Sequence, residues 1–227
     1  MKPIIAINFK TYLEGTGENA LILAKKIEKL KIKYGDLFEF IVAVQTADIF
    51  RISRETNIIV FGQHFDPIAP DRNTGFISIN SLIAAGAKGS LLNHSEHKMR
   101  IDELEEAVKI AKNYEFQTMV CANDPLMVAA VASFMPTYIA YEPPELIAGD
   151  ISVSEAKGEQ ITLAVKFLKN QKNSIPLLVG AGIKKKKDLS IALKLGANGI
   201  LVSSGIVKAK EPDKILEEWI LEVKQNM

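Results

Sequence analysis

The sequence predicts a closed barrel of eight parallel strands, each followed by a helix, the (β/α)8 architecture, over residues 1–227 as a single domain. Three observations predict it. Eight short apolar runs recur from end to end, most of the gaps between them carry helical periodicity, and no glycine-rich dinucleotide fingerprint follows the first run, where INFKTY stands instead. An open doubly wound sheet would be expected to carry that fingerprint.

The runs are Ile4–Phe9, Phe40–Val44, Ile58–Phe61, Ser90–Asn93, Thr118–Cys121, Tyr138–Tyr141, Pro176–Val179 and Gly199–Val202. Their richness in Ile, Val and Leu without alternation suits strands covered on both faces, and their spacing leaves room for parallel crossovers. Between them, Ala20, Leu23, Ala24, Ile27 and Leu30 fall on one helical face. So do Leu104, Ala107, Val108 and Ala111, then Ile161, Ala164, Val165 and Leu168, and finally Ile215, Leu216, Trp219, Ile220 and Val223. The stretch from Thr46 to Arg54 is short and only loosely periodic. Gln63–Ser78 is the one long irregular segment, and no linker or low-complexity tract divides the chain.

Composition narrows the function. With 28 Lys+Arg, 27 Asp+Glu and a net charge of +1, the chain lacks the basic excess of a nucleic-acid binder or a polybasic membrane anchor. The apolar stretch that opens the sequence is too short for a signal-peptide core or a membrane span. The lone cysteine, Cys121, excludes an intrachain disulfide and reads as core filling. The expectation is a cytoplasmic globular protein.

A barrel of this kind builds its active site at the carboxyl ends of its strands, so polar residues where an apolar run stops carry the information. The first run stops at Asn8-Phe9-Lys10, the fourth at Asn93-His94-Ser95-Glu96, the sixth at Tyr141-Glu142 and the third near Gln63-His64. A cation, an imidazole and a carboxylate therefore converge on one mouth. Taken singly, each has a plainer explanation: a solvated rim lysine, a capping histidine, a rim glutamate. Their coincidence on the catalytic face favours chemistry. His64, His94 and His97 form no metal-ligand motif, so metal chemistry finds little support, and no nucleophile elbow is present. The seventh and eighth runs exit into Gly180-Ala181-Gly182 and Ser203-Ser204-Gly205, small residues at the recurrent phosphate position of such barrels. Pro143–Asp150, directly after Glu142, reads as a lid with a stiff start and a glycine-bearing end. Lys184–Lys187 reads either as a solvated turn or as a device that draws in an anion.

INFK at 7–10, QHFDPIAPDRNTG at 63–75, LNHSE at 92–96, VCAND around Cys121, AYEPPELI at 140–147, GAGI at 180–183 and GILVSSG at 199–205 occur in family order and span nearly the whole chain. In these motifs the chain resembles the triosephosphate isomerase family, in its compact archaeal type, and hence the TIM barrel. The resemblance implies interconversion of two triose phosphates without cofactor or metal. It assigns Glu142 as the base, His94 as the neutral electrophile and Lys10 as the cation. Asn8 would position Lys10 and the substrate oxygen, and Glu96 would orient Lys10. The implied substrate contacts are Asn8, Phe9 and Lys10 with backbone groups near Ile147, Ala148, Gly182, Ser203 and Ser204. Gly182 stands where a phosphate serine is usual, and Ala148-Gly149-Asp150 where the far hinge is usually Gly-Thr-Gly. The resemblance further implies a homo-oligomer, a dimer at least and a tetramer for the compact type, with the loop at Thr74 docked against a neighbour. Two other readings stand beside it: another phosphosugar isomerase or aldolase on the same barrel, and a degenerate phosphate-ligand binder. The sixth run carries no lysine for a Schiff base, and Lys10, His94 and Glu142 are all present.

Overall fold

A computed structural model describes residues 1–143, 146, 157–169 and 175–226. Eight strands form one closed ring in sequence order: β1 (Ile4–Asn8), β2 (Glu39–Val44), β3 (Ile59–Gly62), β4 (Gly89–Leu92), β5 (Gln117–Ala122), β6 (Tyr138–Tyr141), β7 (Leu177–Gly180) and β8 (Gly199–Val202). All pairings are parallel, and β8 returns to β1 with Ile4 opposite Gly199 and Ile7 opposite Val202. Gly199 is required at this seam, since a Cβ there would lie 2.0 Å from the Ile4 carbonyl oxygen. The expected strands are all present, the sixth and eighth with the expected bounds and the others within one residue of them at either end. The fourth starts and ends one residue early, because Asn93 turns into the left-handed region (φ 57°) and leaves the ladder.

The intervening helices are α1 (Gly17–Tyr34), α2 (Thr46–Glu55), α3 (Ile79–Ala84), α4 (Ile101–Asn113), α5 (Pro125–Ala132), α6 (Gly158–Lys169), α7 (Lys186–Lys194), α8 (Ser204–Val207) and α9 (Pro212–Asn226). The loosely periodic stretch at Thr46 is indeed helical, held by burial of Ile49 and Ile52. In α5, PLMVAAVA is apolar on every face and shows no period. Its start is fixed instead by the Asp124 carboxylate, which accepts from Met127 N at 2.8 Å, and by Pro125 in the first turn.

Strand alternation separates two cores. Ile4, Ala6, Ile41, Ala43, Phe61, Leu91, Met119, Cys121, Tyr138, Ala140, Leu178 and Leu201 fill the barrel. Their neighbours in sequence, such as Ile5, Ile7, Val42, Val120 and Ile139, pack outward against the helices. No described helix is long and apolar enough to cross a membrane.

Candidate active site

The same alternation builds the site. One step of two beyond the interior residues Ala6, Phe61, Ala140, Leu178 and Leu201 stand Asn8, Gln63, Glu142, Gly180 and Ser203. The top layer of the barrel is therefore polar because the inward column of each strand ends in a polar or small residue.

On the β1 side the backbone is strained to present a charge. Lys10 lies in the left-handed region (φ 50°), a conformation that costs a residue with a Cβ roughly 1 kcal/mol or more. The turn is held from beneath. Asn8 Oδ1 accepts from Lys10 N at 2.9 Å, and the Gln63 amide donates to Asn8 Oδ1 at 3.3 Å and to the Lys10 carbonyl at 2.9 Å. The lysine then reaches Glu96, with Nζ to Oε1 at 2.6 Å.

On the β4 side Asn93 performs the turn. Its amide donates to the Cys121 carbonyl at 3.0 Å, and its Oδ1 accepts from Met99 N at 3.1 Å. His94 is thereby brought, buried, into the mouth. The backbone N–H of Glu96 donates to His94 Nδ1 at 3.2 Å. Only a neutral ring can accept there, so the remaining proton sits on Nε2 and faces the cavity. Glu142 Oε2 lies 3.6 Å from that Nε2.

Glu142 is a buried carboxylate, not a rim one. Its backbone continues the ladder through Glu142 N to the Ala122 carbonyl at 2.8 Å. Its side chain occupies the space left by Gly180, where a Cβ would stand 2.5 Å from Oε1 and 2.7 Å from Cγ. Cys121 lies behind it: burial first, then the negative charge of Glu142, push the thiol well above its ordinary pKa. Among the described residues, Glu142 Oε2 and Ser203 Oγ are buried polar atoms with no hydrogen-bond partner. Such orphans are uncommon and cost ~1–3 kcal/mol each, as expected of groups arranged for a ligand.

The opposite wall is made of small residues. Ala181 (φ 75°) and Gly182 (φ 66°) turn β7 away in the left-handed region. One cavity is lined by Asn8, Lys10, His94, Glu142, Gly182, Ser203 and Ser204 together with Tyr12 and Lys184. Of the residues expected at the site, these seven meet there, and Glu96 joins through Lys10 and His94. Phe9 does not: it is fully buried in the outer core, because strand alternation turns it away from the mouth. Ile147, Ala148 and most of the expected lid lie outside the described residues. Sequence reasoning missed Gln63 as the brace of Lys10, Gly180 as the seat of Glu142, and Tyr12 in the wall. The inward parity of β3 and β7 was the available signal for the first two.

Beside this cavity lies a wider cleft of about 700 Å³, shared at Asn8, Lys10, Tyr12 and His94 and continued by Thr11, Gln45, Thr46, Gln63, His64 and His97. The 63–78 loop rises next to it. Its neck is closed by Asp66, whose N–H donates to the Ile77 carbonyl at 2.8 Å while its carboxylate accepts from Ile77 N at 2.7 Å. Thr74 and Phe76 are exposed at the far end. The His64 and His97 rings stack at 3.9 Å, and burial lowers the His64 pKa against the raising effect of Asp66. Among the described residues no group of three or more His, Cys, Asp and Glu side chains is arranged to hold a metal ion.

Comparison with known proteins meets this geometry from another direction. The family model for triosephosphate isomerase matches residues 3–219. The chain is 42% identical over 218 residues to a triosephosphate isomerase of Methanobrevibacter smithii, covering 96% of this chain and 97% of that one. It is 43% identical over 222 residues to that of Methanothermus fervidus, covering 98% and 99%. A crystal structure of triosephosphate isomerase from Bartonella henselae, 20% identical, superposes with a TM-score of 0.75 over 97% of this chain and all of that one, a likeness of fold. By the extent of these matches, the chain belongs to the triosephosphate isomerase family.

Proposed function

We propose that the chain interconverts dihydroxyacetone phosphate and D-glyceraldehyde 3-phosphate through an enediolate. The observation that carries the reading is the approach of Glu142 Oε2 to His94 Nε2 at 3.6 Å, with the His94 ring neutral and Lys10 adjoining. The Glu142 carboxylate takes a proton from the carbon beside the carbonyl, and the electron pair moves onto the carbonyl oxygen. His94 Nε2–H and the Lys10 ammonium hold the charge that develops there, from groups already fixed by Glu96, Asn8 and Gln63. A proton passes from the adjacent hydroxyl to that oxygen, relayed through His94 Nε2, and as the new carbonyl forms the carboxylic acid returns its proton to the carbon that carried the old one. Proton and electrons balance within the substrate, so no redox partner enters. Backbone N–H groups at Gly182, Ser203 and Ser204 are assigned to the phosphate, which anchors the substrate at a distance from the reacting carbons. A coupled assay on D-glyceraldehyde 3-phosphate is the test. Glu142→Gln and His94→Gln are each expected to lower kcat by roughly 10²–10⁴-fold with the fold retained, the usual scale for loss of acid–base function. Turnover by Glu142→Gln near that of the parent chain would remove the base from the scheme.

We also propose a homodimer at least, and a tetramer as the working state. The 63–78 loop, with Thr74 at its tip, would enter the 700 Å³ cleft of a second copy beside Lys10. A long loop with an exposed Phe76 and a closed neck suits an interface. Light scattering that finds a fully active monomer at micromolar concentration would rule this out.

A further inference from the structure

The proposed chemistry leaves one charged feature of the mouth unused: Lys184–Lys187, all four exposed, between the end of β7 and the first turn of α7. A chain with a net charge of +1 concentrates four of its 28 cations there. The helix gains nothing from them, since cations near a helix amino terminus are unfavourable by ~0.3–1 kcal/mol each. Asp188 is the acidic member of the capping box. Its buried carboxylate accepts from Lys184 N at 2.8 Å and from Lys185 N at 2.7 Å, which fixes the backbone beneath the run.

Position supplies the reason that helix stability does not. Lys184 lines the cavity with Lys10, Glu142, Gly182, Ser203 and Ser204. It is held at the Ser203–Ser204 end by close packing, since a Cβ on Gly205 would lie 2.6 Å from the Ile183 carbonyl oxygen and 3.3 Å from Lys184 Cα. Among the described residues, other charges near the cavity are partly spent on one another. Lys10 is paired with Glu96, which leaves the buried Glu142 carboxylate without a matching cation among these three. Within the run Lys186 is 3.9 Å from Glu222, and outside it Lys208 lies against the Tyr12 ring. A phosphate monoester carrying about two negative charges would therefore gain from further cations held beside the Ser203–Ser204 end of the cavity.

Resting on the reaction proposed above, we propose that Lys184–Lys187 is an electrostatic lip that steers the phosphate dianion into the Gly182–Ser203–Ser204 end of the cavity. Steering acts on encounter, so it raises kcat/KM and not kcat. It also fades as salt shortens the screening length from ~30 Å at 0.01 M to ~10 Å at 0.1 M.

The test compares three proteins across that salt range: the parent chain, a variant with all four lysines of the run changed to Gln, and a charge-matched control. The control changes Lys109, Lys166, Lys169 and Lys194, exposed lysines of α4, α6 and α7, to Gln. Each is assayed for turnover of D-glyceraldehyde 3-phosphate and, separately, for binding of inorganic phosphate by calorimetry. The run variant is expected to lose about fivefold to tenfold in kcat/KM at ~0.01 M salt, to keep its kcat, and to show a flatter salt slope. Its phosphate affinity should weaken in parallel, while the control follows the parent chain. Equal salt slopes for parent and run variant overturn the lip. So does an equal loss in the control, or a loss that persists undiminished at high salt. If the parent chain binds phosphate in a lysine-dependent way but does not turn over the triose phosphate, the reaction falls and the lip stands. If it turns over the substrate with equal slopes, the reaction stands and the lip falls.

Discussion

Gly180→Ala places one methyl group directly against the proposed base. The added Cβ would lie 2.5 Å from Glu142 Oε1, 2.7 Å from Cγ and 2.9 Å from Cδ, all inside the 3.4 Å at which ordinary contact begins. The carboxylate must therefore yield by roughly 1 Å, and a displacement of that size costs on the order of 10²-fold in rate. It cannot be absorbed locally, because Cys121 lies behind Glu142 and His94 stands 3.6 Å in front of Oε2. The expected result is a kcat lower by about 10²-fold and a smaller change in KM for D-glyceraldehyde 3-phosphate, since the atoms nearest the added methyl are those of Glu142. Overpacking of this kind costs about 1–3 kcal/mol of stability, so urea titration should show a folded protein with a lower midpoint. Pairing the change with Glu142→Asp separates contact from accident. The shorter side chain withdraws from the methyl, so the double variant should be no slower than Glu142→Asp alone. A Gly180→Ala enzyme within about threefold of the parent chain, or penalties that simply multiply in the double variant, would refute the reasoning.

Three further outcomes are expected. Burial keeps the His64 imidazole below its ordinary pKa, so on acidification through about 6.5 the unfolded chain takes up a proton that the folded one refuses, and stability falls. His64→Gln should reduce the loss of urea midpoint between about pH 7.5 and about pH 5.5. Burial, with the Glu39 carboxylate at 3.2 Å from its hydroxyl, raises the Tyr138 phenol to about 12. Stability should therefore be lost in alkali as pH climbs from about 10 towards 12, and Tyr138→Phe should soften that loss in alkaline unfolding monitored by circular dichroism. Asp188→Ala removes the acceptor for two backbone N–H groups beneath a run of cations, and thermal unfolding should report about 1–2 kcal/mol of destabilisation.

Much of the barrel was legible because its strands, covered on both faces, appear as continuous apolar runs that no other class of element imitates at this spacing. Tyr138–Tyr141 and Gly199–Val202 could be bounded to the residue. Elements whose stability comes from surroundings and not from pattern were not. In α5 every face is apolar, so its helical character resides in the Asp124 cap and Pro125 and not in any period. The residues of the site stood out as polar side chains at strand ends, but their environment did not. Glu142 reads in sequence as a rim charge and is buried, because its burial depends on the missing side chain of Gly180, 38 positions away. Phe9 reads as a neighbour of the substrate and belongs to the outer core, because a period of two separates it from Asn8 and Lys10. Gln63 opens the QHFDPIAPDRNTG motif but carries no charge; its importance lies in hydrogen bonds to a backbone turn 53 residues earlier.

The solitary thiol equips the chain with an internal reporter. Cys121 is sealed behind Glu142, and its raised pKa keeps it from forming the thiolate that alkylating reagents attack. Cys121 faces the barrel interior with residues of all eight strands, so reaching the sulfur requires the barrel itself to open. Labelling of native protein thus counts openings of the barrel, one event per chain and without a background from other thiols. A bound phosphate ester that grips the mouth should slow that clock, and the retardation would measure ligand binding without reference to turnover.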